Sequence, residues 1–276
     1  MKAFCKTLFL CYNYSVDTSI NVLEEKNQVH NSPSPSTIFE KIRILNGNVL
    51  KLLALILMTV DHIGLYIFPQ FKIFRIIGRL AFPIFAYLVS EGATHTRNRA
   101  RYLYFMLLIG VVTEIIFRIA MPRTSLNILI TLSLSICIIY SFDFLRSSFR
   151  DNNTKKIAIS MSIFCTLLIL IFVIAYILPN IIAGYSGINY GICGVLLPFV
   201  AYLFKNRFLK LFAFAICLML ISIFNPLSCQ IQLFSLLSIF LLTLYNGKRG
   251  HLKIKYLFYA YYPFHILLLY WISTIV

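Results

Sequence analysis

The chain has 276 residues, of which 60% are hydrophobic and only 12% charged, with a formal net charge of +16. Its mean hydropathy is +0.84, whereas a soluble domain is about 45–50% apolar and about 25% charged, so a water-soluble globular domain is excluded. The positive charge does not point to nucleic acid, because the basic residues lie between apolar segments and no DNA- or RNA-binding motif accompanies them.

Residues 1–48 differ in composition from the remainder of the chain. Phe4 to Tyr12 is a short apolar patch interrupted by Cys5, Lys6 and Thr7, and after it come Glu24-Glu25-Lys26 and Ser32-Pro33-Ser34-Pro35-Ser36. That composition is a poor core former and reads as a flexible polar tail. Residues 49–276 read as a single transmembrane helical domain. Apolar runs of about 17–25 residues suffice to cross hydrocarbon as helices, and about nine of them recur. They fall at 50–68, 75–93, 101–121, 125–145, 157–179, 187–204, 209–225, 229–245 and 255–275. The fold class is therefore all-α and polytopic, since a barrel would show short alternating segments instead.

The connecting loops fix an expected orientation. Those after the even-numbered spans carry Arg97/Arg99/Arg101, Arg146/Arg150/Lys155/Lys156, Lys205/Arg207/Lys210 and Lys248/Arg249/Lys253. The segments 179–186 and 225–228 carry no Lys or Arg. Basic loops remain on the cytoplasmic side, which places the N-terminus in the cytoplasm and the C-terminus outside. No internal repeat or inverted pair of broken helices is visible, which weakens a transporter reading. Seven cysteines form no C-x-x-C pair and read as small buried hydrophobes; no metal site is expected.

Charges inside the spans need a reason, because an ionisable side chain in the bilayer centre costs about 2.5–3.5 kcal/mol on insertion scales. Asp61, His62, Arg79 and Glu91 all fall in the first two spans. His62 is eleven residues after Lys51, about 16 Å of rise and within about 20° of whole turns. Lys51, Leu55, Met58 and His62 therefore share a stripe. A neutral imidazole there can take a proton from a nucleophile, with Asp61 or Glu91 fixing its tautomer. The competing reading is a histidine bonded for helix packing.

Arg79 is followed by Pro83, which frees backbone groups beside a cavity. It either holds a carboxylate, phosphate or oxyanion, or neutralises Asp61. Arg75 reads as snorkelling to the surface. Glu114 and Arg118 form an i,i+4 pair, while Asp143 and Asp151 read as solvated. Arg97, Arg99 and Arg101 serve as orientation determinants and as a candidate grip on the phosphates of coenzyme A. The tyrosines at 256–262 suggest an aromatic belt, with His265 a further site candidate. Gly184-Tyr185-Ser186-Gly187 resembles the nucleophile region of rhomboid proteases, with a Ser186–His265 dyad as corollary.

The motifs D-H-I-G (61–64) and G-R-L-A-F-P-I-F-A-Y-L-V-S-E-G (78–92) resemble the TraX family, the F-pilin acetylation proteins of conjugative plasmids and their chromosomal relatives. The likeness extends through H-T-R-N-R (95–99), Ser125–Thr131, Y-G-I-C-G-V-L-L-P (190–198) and N-G-K-R-G (246–250) to P-F-H at 263–265. It covers essentially all of 50–276. At 189 the family tends to carry an acidic residue, whereas this chain has Asn189, beside Tyr190. The family is similar in turn to membrane acyltransferases that show a basic residue, ten positions and a histidine in the first helix, a spacing that Lys51 and His62 match.

The resemblance implies a membrane-embedded acetyltransferase of the bacterial inner membrane with His62 as base. Acetyl-CoA would enter from the cytoplasm, with Lys51 and Arg97/Arg99/Arg101 as cofactor-side residues. Asp61 or Glu91 would orient the base and Arg79 would steady charge. Pilin N-termini or an envelope glycan are the expected acceptors, with His265, Asn189 and Tyr190 as further site candidates. A permease using the same buried charges and a rhomboid-like protease are the alternatives.

Overall fold

The structure is a computed structural model, and it describes residues 43–121, 124–224, 229–250 and 255–275. Most of the expected tail lies outside the described residues. The first helix, α1 (Gly47–Tyr66), begins where Asn46 accepts hydrogen bonds from the amides of Asn48 and Val49, at 3.0 and 3.1 Å, as an N-cap side chain does. After a short turn come α2 (Lys72–Gly78) and α3 (Ala81–His95). These occupy the expected second span but are broken at Arg79–Leu80. The break has a covalent cause: Pro83 has no N–H to donate to the Arg79 carbonyl, and its ring crowds that same carbonyl.

Then come α4 (Arg99–Ala120), the two-residue strand β1 (Ser125–Leu126), α5 (Ile128–Arg150) and α6 (Thr154–Phe172). A π-turn (Val173–Ile177) leads from α6 into α7 (Leu178–Ile181), and β2 (Gly187–Ile188) pairs in parallel with β1. The remainder is α8 (Gly191–Leu203), α9 (Arg207–Ile223), α10 (Cys229–Leu233), a 3-10 turn (Phe234–Leu237), α11 (Ser238–Thr243) and α12 (Lys255–Ile275). The expected span at 229–245 is therefore three short helical pieces. The spans expected from 125 and 187 open as strand residues before helix begins.

Five stretches among the described residues are long and apolar enough to cross a membrane: Gly47–Tyr66, Lys72–His95, Arg99–Ala120, Ile128–Arg150 and Thr154–Ile181. Of these, Lys72–His95 is 61% buried within the protein and Thr154–Ile181 only 11%, so α2–α3 is the central element and α6 lies at the periphery. Exposed apolar side chains such as Ile119, Ile169, Phe208 and Trp271 form an outward apolar surface of the kind that lipid covers. The main core joins Leu50, Ala54 and Leu57 of α1 to Ile84, Tyr87 and Leu88 of α3, Ile136 of α5 and Leu218 and Ile221 of α9. The loop before α12 is strapped to the start of α1: the Asn246 amide donates to the Leu45 carbonyl and the Gly47 amide to the Lys248 carbonyl.

Glycine sets the closest approach. A Cβ on Gly78 would lie 2.3 Å from the Asp61 Cβ and 2.5 Å from its Cα, and one on Gly64 would lie 2.4 Å from the Phe74 Cβ. The backbones of α1 and α2 therefore touch at Asp61, as small residues allow in membrane helices. Gly78→Ala is expected to push α1 and α2 apart and to destabilise the protein by about 1–3 kcal/mol. The measurement is the thermal melting point in detergent, and an unchanged midpoint contradicts this packing.

Candidate functional site

The α1–α2 contact delivers Asp61 between two guanidinium groups. Arg75 Nη1 lies 2.6 Å from Asp61 Oδ2 and Arg79 Nη2 lies 3.0 Å from Oδ1. Arg75 thus turns inward rather than snorkelling, because its one-turn offset from Arg79 puts both over the same carboxylate. Arg79 Nη1 also reaches the Tyr190 hydroxyl and Gln232 Oε1, each at 3.4 Å. Arg79 neutralises Asp61, one of the two roles open to it on sequence grounds.

Tyr190 is held in place by strain and stacking. It is a non-glycine residue at φ 62°, a left-handed backbone conformation that an L side chain rarely adopts. Its ring stacks on Phe82 at 4.1 Å between centroids with 7° between planes. The neighbouring Asn189 donates to the Leu126 carbonyl at 2.8 Å and accepts from Ser125 Oγ at 3.3 Å, so the β1–β2 ladder positions both residues. Asn127, which caps α5, is fixed by Glu114 Oε2 at 2.9 Å, and Glu114 is paired with Arg118 at 2.9 Å. The i,i+4 pair is present as expected.

His62 sits one turn above Met58, and its Nδ1 lies 2.8 Å from the Met58 carbonyl and 3.2 Å from His265 Nε2. His265 in turn places its Nδ1 2.8 Å from the Tyr261 carbonyl. A carbonyl only accepts, so each Nδ1 carries the hydrogen in the neutral ring. His62 Nδ1–H is then shared between Met58 and the lone pair of His265 Nε2, which leaves His62 Nε2 as a lone-pair nitrogen. Tyr261 stacks on His265 at 4.9 Å, and its hydroxyl is 2.7 Å from Thr59 Oγ1. His265 is therefore a partner that orients the His62 ring. Asp61 is engaged by the two arginines, and Glu91 bonds Lys210 at 3.0 Å.

A cavity of about 830 Å³ collects these groups. Its walls include the whole stripe Lys51, Leu55, Met58 and His62, together with Asp61, Arg75, Arg79, Glu91, Asn189, Tyr190 and Gln232. At the Lys51 end it is also lined by Gly92, His95, Tyr102 and Arg249. Tyr259 and Tyr262 line it too, so these tyrosines face inward rather than forming a belt.

None of Arg97, Arg99 and Arg101 lines the cavity. Arg99 pairs with Asp143 at 2.7 Å and lies over the Tyr140 ring, and Arg101 lies over Phe105. Asp143, which also accepts from the Tyr202 hydroxyl, is an anchored carboxylate and not a solvated one. Ser186 bonds Thr124 Oγ1 at 2.8 Å, while the two ring nitrogens of His265 face Tyr261 and His62. The Ser186–His265 dyad is therefore not formed. Sequence reasoning missed Gln232 and Arg249. Two glutamines in the apolar run C-Q-I-Q-L are a signal for the first, whereas Arg249 reads from sequence only as a loop charge.

The TraX protein family matches residues 46–273. An uncharacterized protein of Rickettsia prowazekii (strain Madrid E) is 33% identical over 150 residues, 53% of this chain and 59% of that relative. A probable fimbrial assembly protein FimC, serogroup H1, of Dichelobacter nodosus is 33% identical over 69 residues, 24% of this chain and 28% of that protein. The chain thus spans less than two thirds of the length of these curated relatives. No solved structure matches it.

Asp61→Asn would leave Arg75 and Arg79 buried without a counter-charge, a loss of about 3–5 kcal/mol. Asp151→Asn, at the exposed Lys156 pair, should change stability by about 0–1 kcal/mol. Melting midpoints of the two variants should separate clearly, and the double variant Asp61→Asn/Arg79→Gln should recover part of the first loss. Equal midpoints for the two single variants contradict a buried ion cluster.

Proposed function

This chain belongs to the TraX family, and from that premise we propose that it is an inner-membrane acetyltransferase acting in pilus or envelope biogenesis. It moves an acetyl group from cytoplasmic acetyl-CoA to an amine or hydroxyl of a pilin N-terminus or a glycan. The observation that carries the reading is His62, which lines the cavity with its Nδ1 tied to Met58 and His265. The family's association with pilin acetylation and the name of the fimbrial assembly relative support the acceptor class. In this reading the five long helices together with α8, α9, the 229–243 segment and α12 make about nine crossings, with the N-terminus cytoplasmic.

In this mechanism acetyl-CoA enters by the Lys51–Arg249 end, where two cations suit its phosphates. The cavity volume of about 830 Å³ is in the range of small-molecule sites. The acceptor reaches His62 from the Asp61 end. His62 Nε2 removes a proton from the acceptor as its nitrogen or oxygen attacks the thioester carbonyl. A C–N or C–O bond forms, the C–S bond breaks, and the departing thiolate takes the proton back from His62. While His62 is charged, its Nδ1–H bond to the His265 lone pair strengthens, so His265 acts as a positioning residue.

The test is transfer of label from acetyl-labelled coenzyme A by the purified protein in liposomes. His62→Ala should lower turnover about 10²–10⁴-fold with folding retained, and His265→Leu should fall between that variant and wild type. Full activity in His62→Ala sinks the assignment. Solute uptake into vesicles without acetyl-CoA consumption would instead support the permease reading.

A further inference from the structure

Two hydrogen-bond donors of residues at the Asp61 end of the cavity are left unmatched among the described residues. Gln232 is 1% exposed and Arg79 has a side-chain exposure of 10%, yet Gln232 Nε2 and Arg79 Nε have no hydrogen-bond partner among the described residues. The glutamine cannot be rotated to relieve this, because its Oε1 faces Arg79 Nη1 and reversing the amide would set donor against donor. An unmade hydrogen bond at a buried donor costs its full desolvation, and this pair of residues keeps two.

Charge is out of balance in the same direction. Asp61 is the one carboxylate acting on either Arg75 or Arg79 among the described residues, so two guanidinium groups share a single negative charge. Both Arg79 and Gln232 line the cavity. Arg79 is joined both to Gln232 and to Tyr190, whose strained backbone fixes the third side.

We propose that Arg79 and Gln232 form a subsite for a carboxylate carried by the acceptor, the two enclosed side chains turning toward the cavity so that one oxygen accepts from Arg79 Nε–H and the other from Gln232 Nε2–H. A carboxylate brings one negative charge and balances the cluster. A phosphate monoester, with about −1.5 to −2 at neutral pH, would overshoot it. The word acceptor rests on the acyl-transfer reading; the anion site itself does not. The implied substrate class is an amine or hydroxyl compound bearing a nearby carboxylate, such as the end of a peptide with an acidic side chain or an acidic sugar. His62, next to Asp61 in sequence, would act on the nucleophile while this subsite grips the acid.

The experiment labels arginine with nitrogen-15 in the full chain in lipid nanodiscs, with the Arg79 Nε–H resonance assigned by its loss in Arg79→Lys. The probes are propionate and inorganic phosphate, added without acetyl-CoA. A saturable downfield shift with propionate is expected, weakened at least tenfold in Gln232→Leu and abolished in Gln232→Glu, which supplies the anion internally. A shift with phosphate equal to or stronger than that with propionate overturns the carboxylate assignment. No shift with either probe overturns the subsite. Because the readout needs no turnover, an inactive transferase and an empty subsite give different results.

Discussion

The contact of Gly78 with Asp61 is the constraint on which the rest of the site depends. With no side chain at 78, α2 presses its backbone onto α1, and the arginines before and after that glycine fall on either side of one carboxylate. In a low-dielectric surrounding such a pairing is what permits charge to be buried at all. The cluster also needs the break after Gly78. In a continuous helix from Lys72 to His95, Arg79 would follow Gly78 by about 100° and its carbonyl would collide with the Pro83 ring. The proline therefore shapes the position of the arginine four residues before it.

The two histidines solve a different problem by the same economy of groups. A proton acceptor facing a cavity must present one nitrogen unprotonated, and a buried carboxylate partner would add a charge needing its own compensation. Here each Nδ1 is held by a carbonyl one turn back on its own helix, so local helix geometry sets both tautomers. The second histidine then offers a neutral lone pair to the first. His62 is thus held by a helix carbonyl and a neighbouring imidazole, while Asp61, adjacent to it in sequence, holds the two arginines.

What could be read from the chain is what lies along one helix. The stripe from Lys51 to His62 and the Glu114–Arg118 pair depend only on helical repeat, and both are present. What could not be read depends on crossings between distant segments. The inward turn of Arg75, the pairing of Arg99 with Asp143 and the approach of His265 to His62 all arise from contacts between helices remote in sequence. Hydropathy marked the apolar stretches but not the breaks within them, because a residue such as Gln232 hardly lowers the mean of an apolar run while changing entirely what its backbone and side chain must satisfy.

The cavity joins two regions of opposite character. At the Lys51 end, Glu91 is matched by Lys210, and Lys51 and Arg249 remain as added positive charge on the wall. At the Asp61 end, among the described residues, the arginines again exceed the acids, but there the excess is enclosed and accompanied by donors without acceptors. Positive charge open to a mouth attracts anions of any shape, whereas enclosed donors in fixed geometry select among them. On the proposed reading the same sign of charge gives capture at one end and discrimination at the other, with His62 on the wall between.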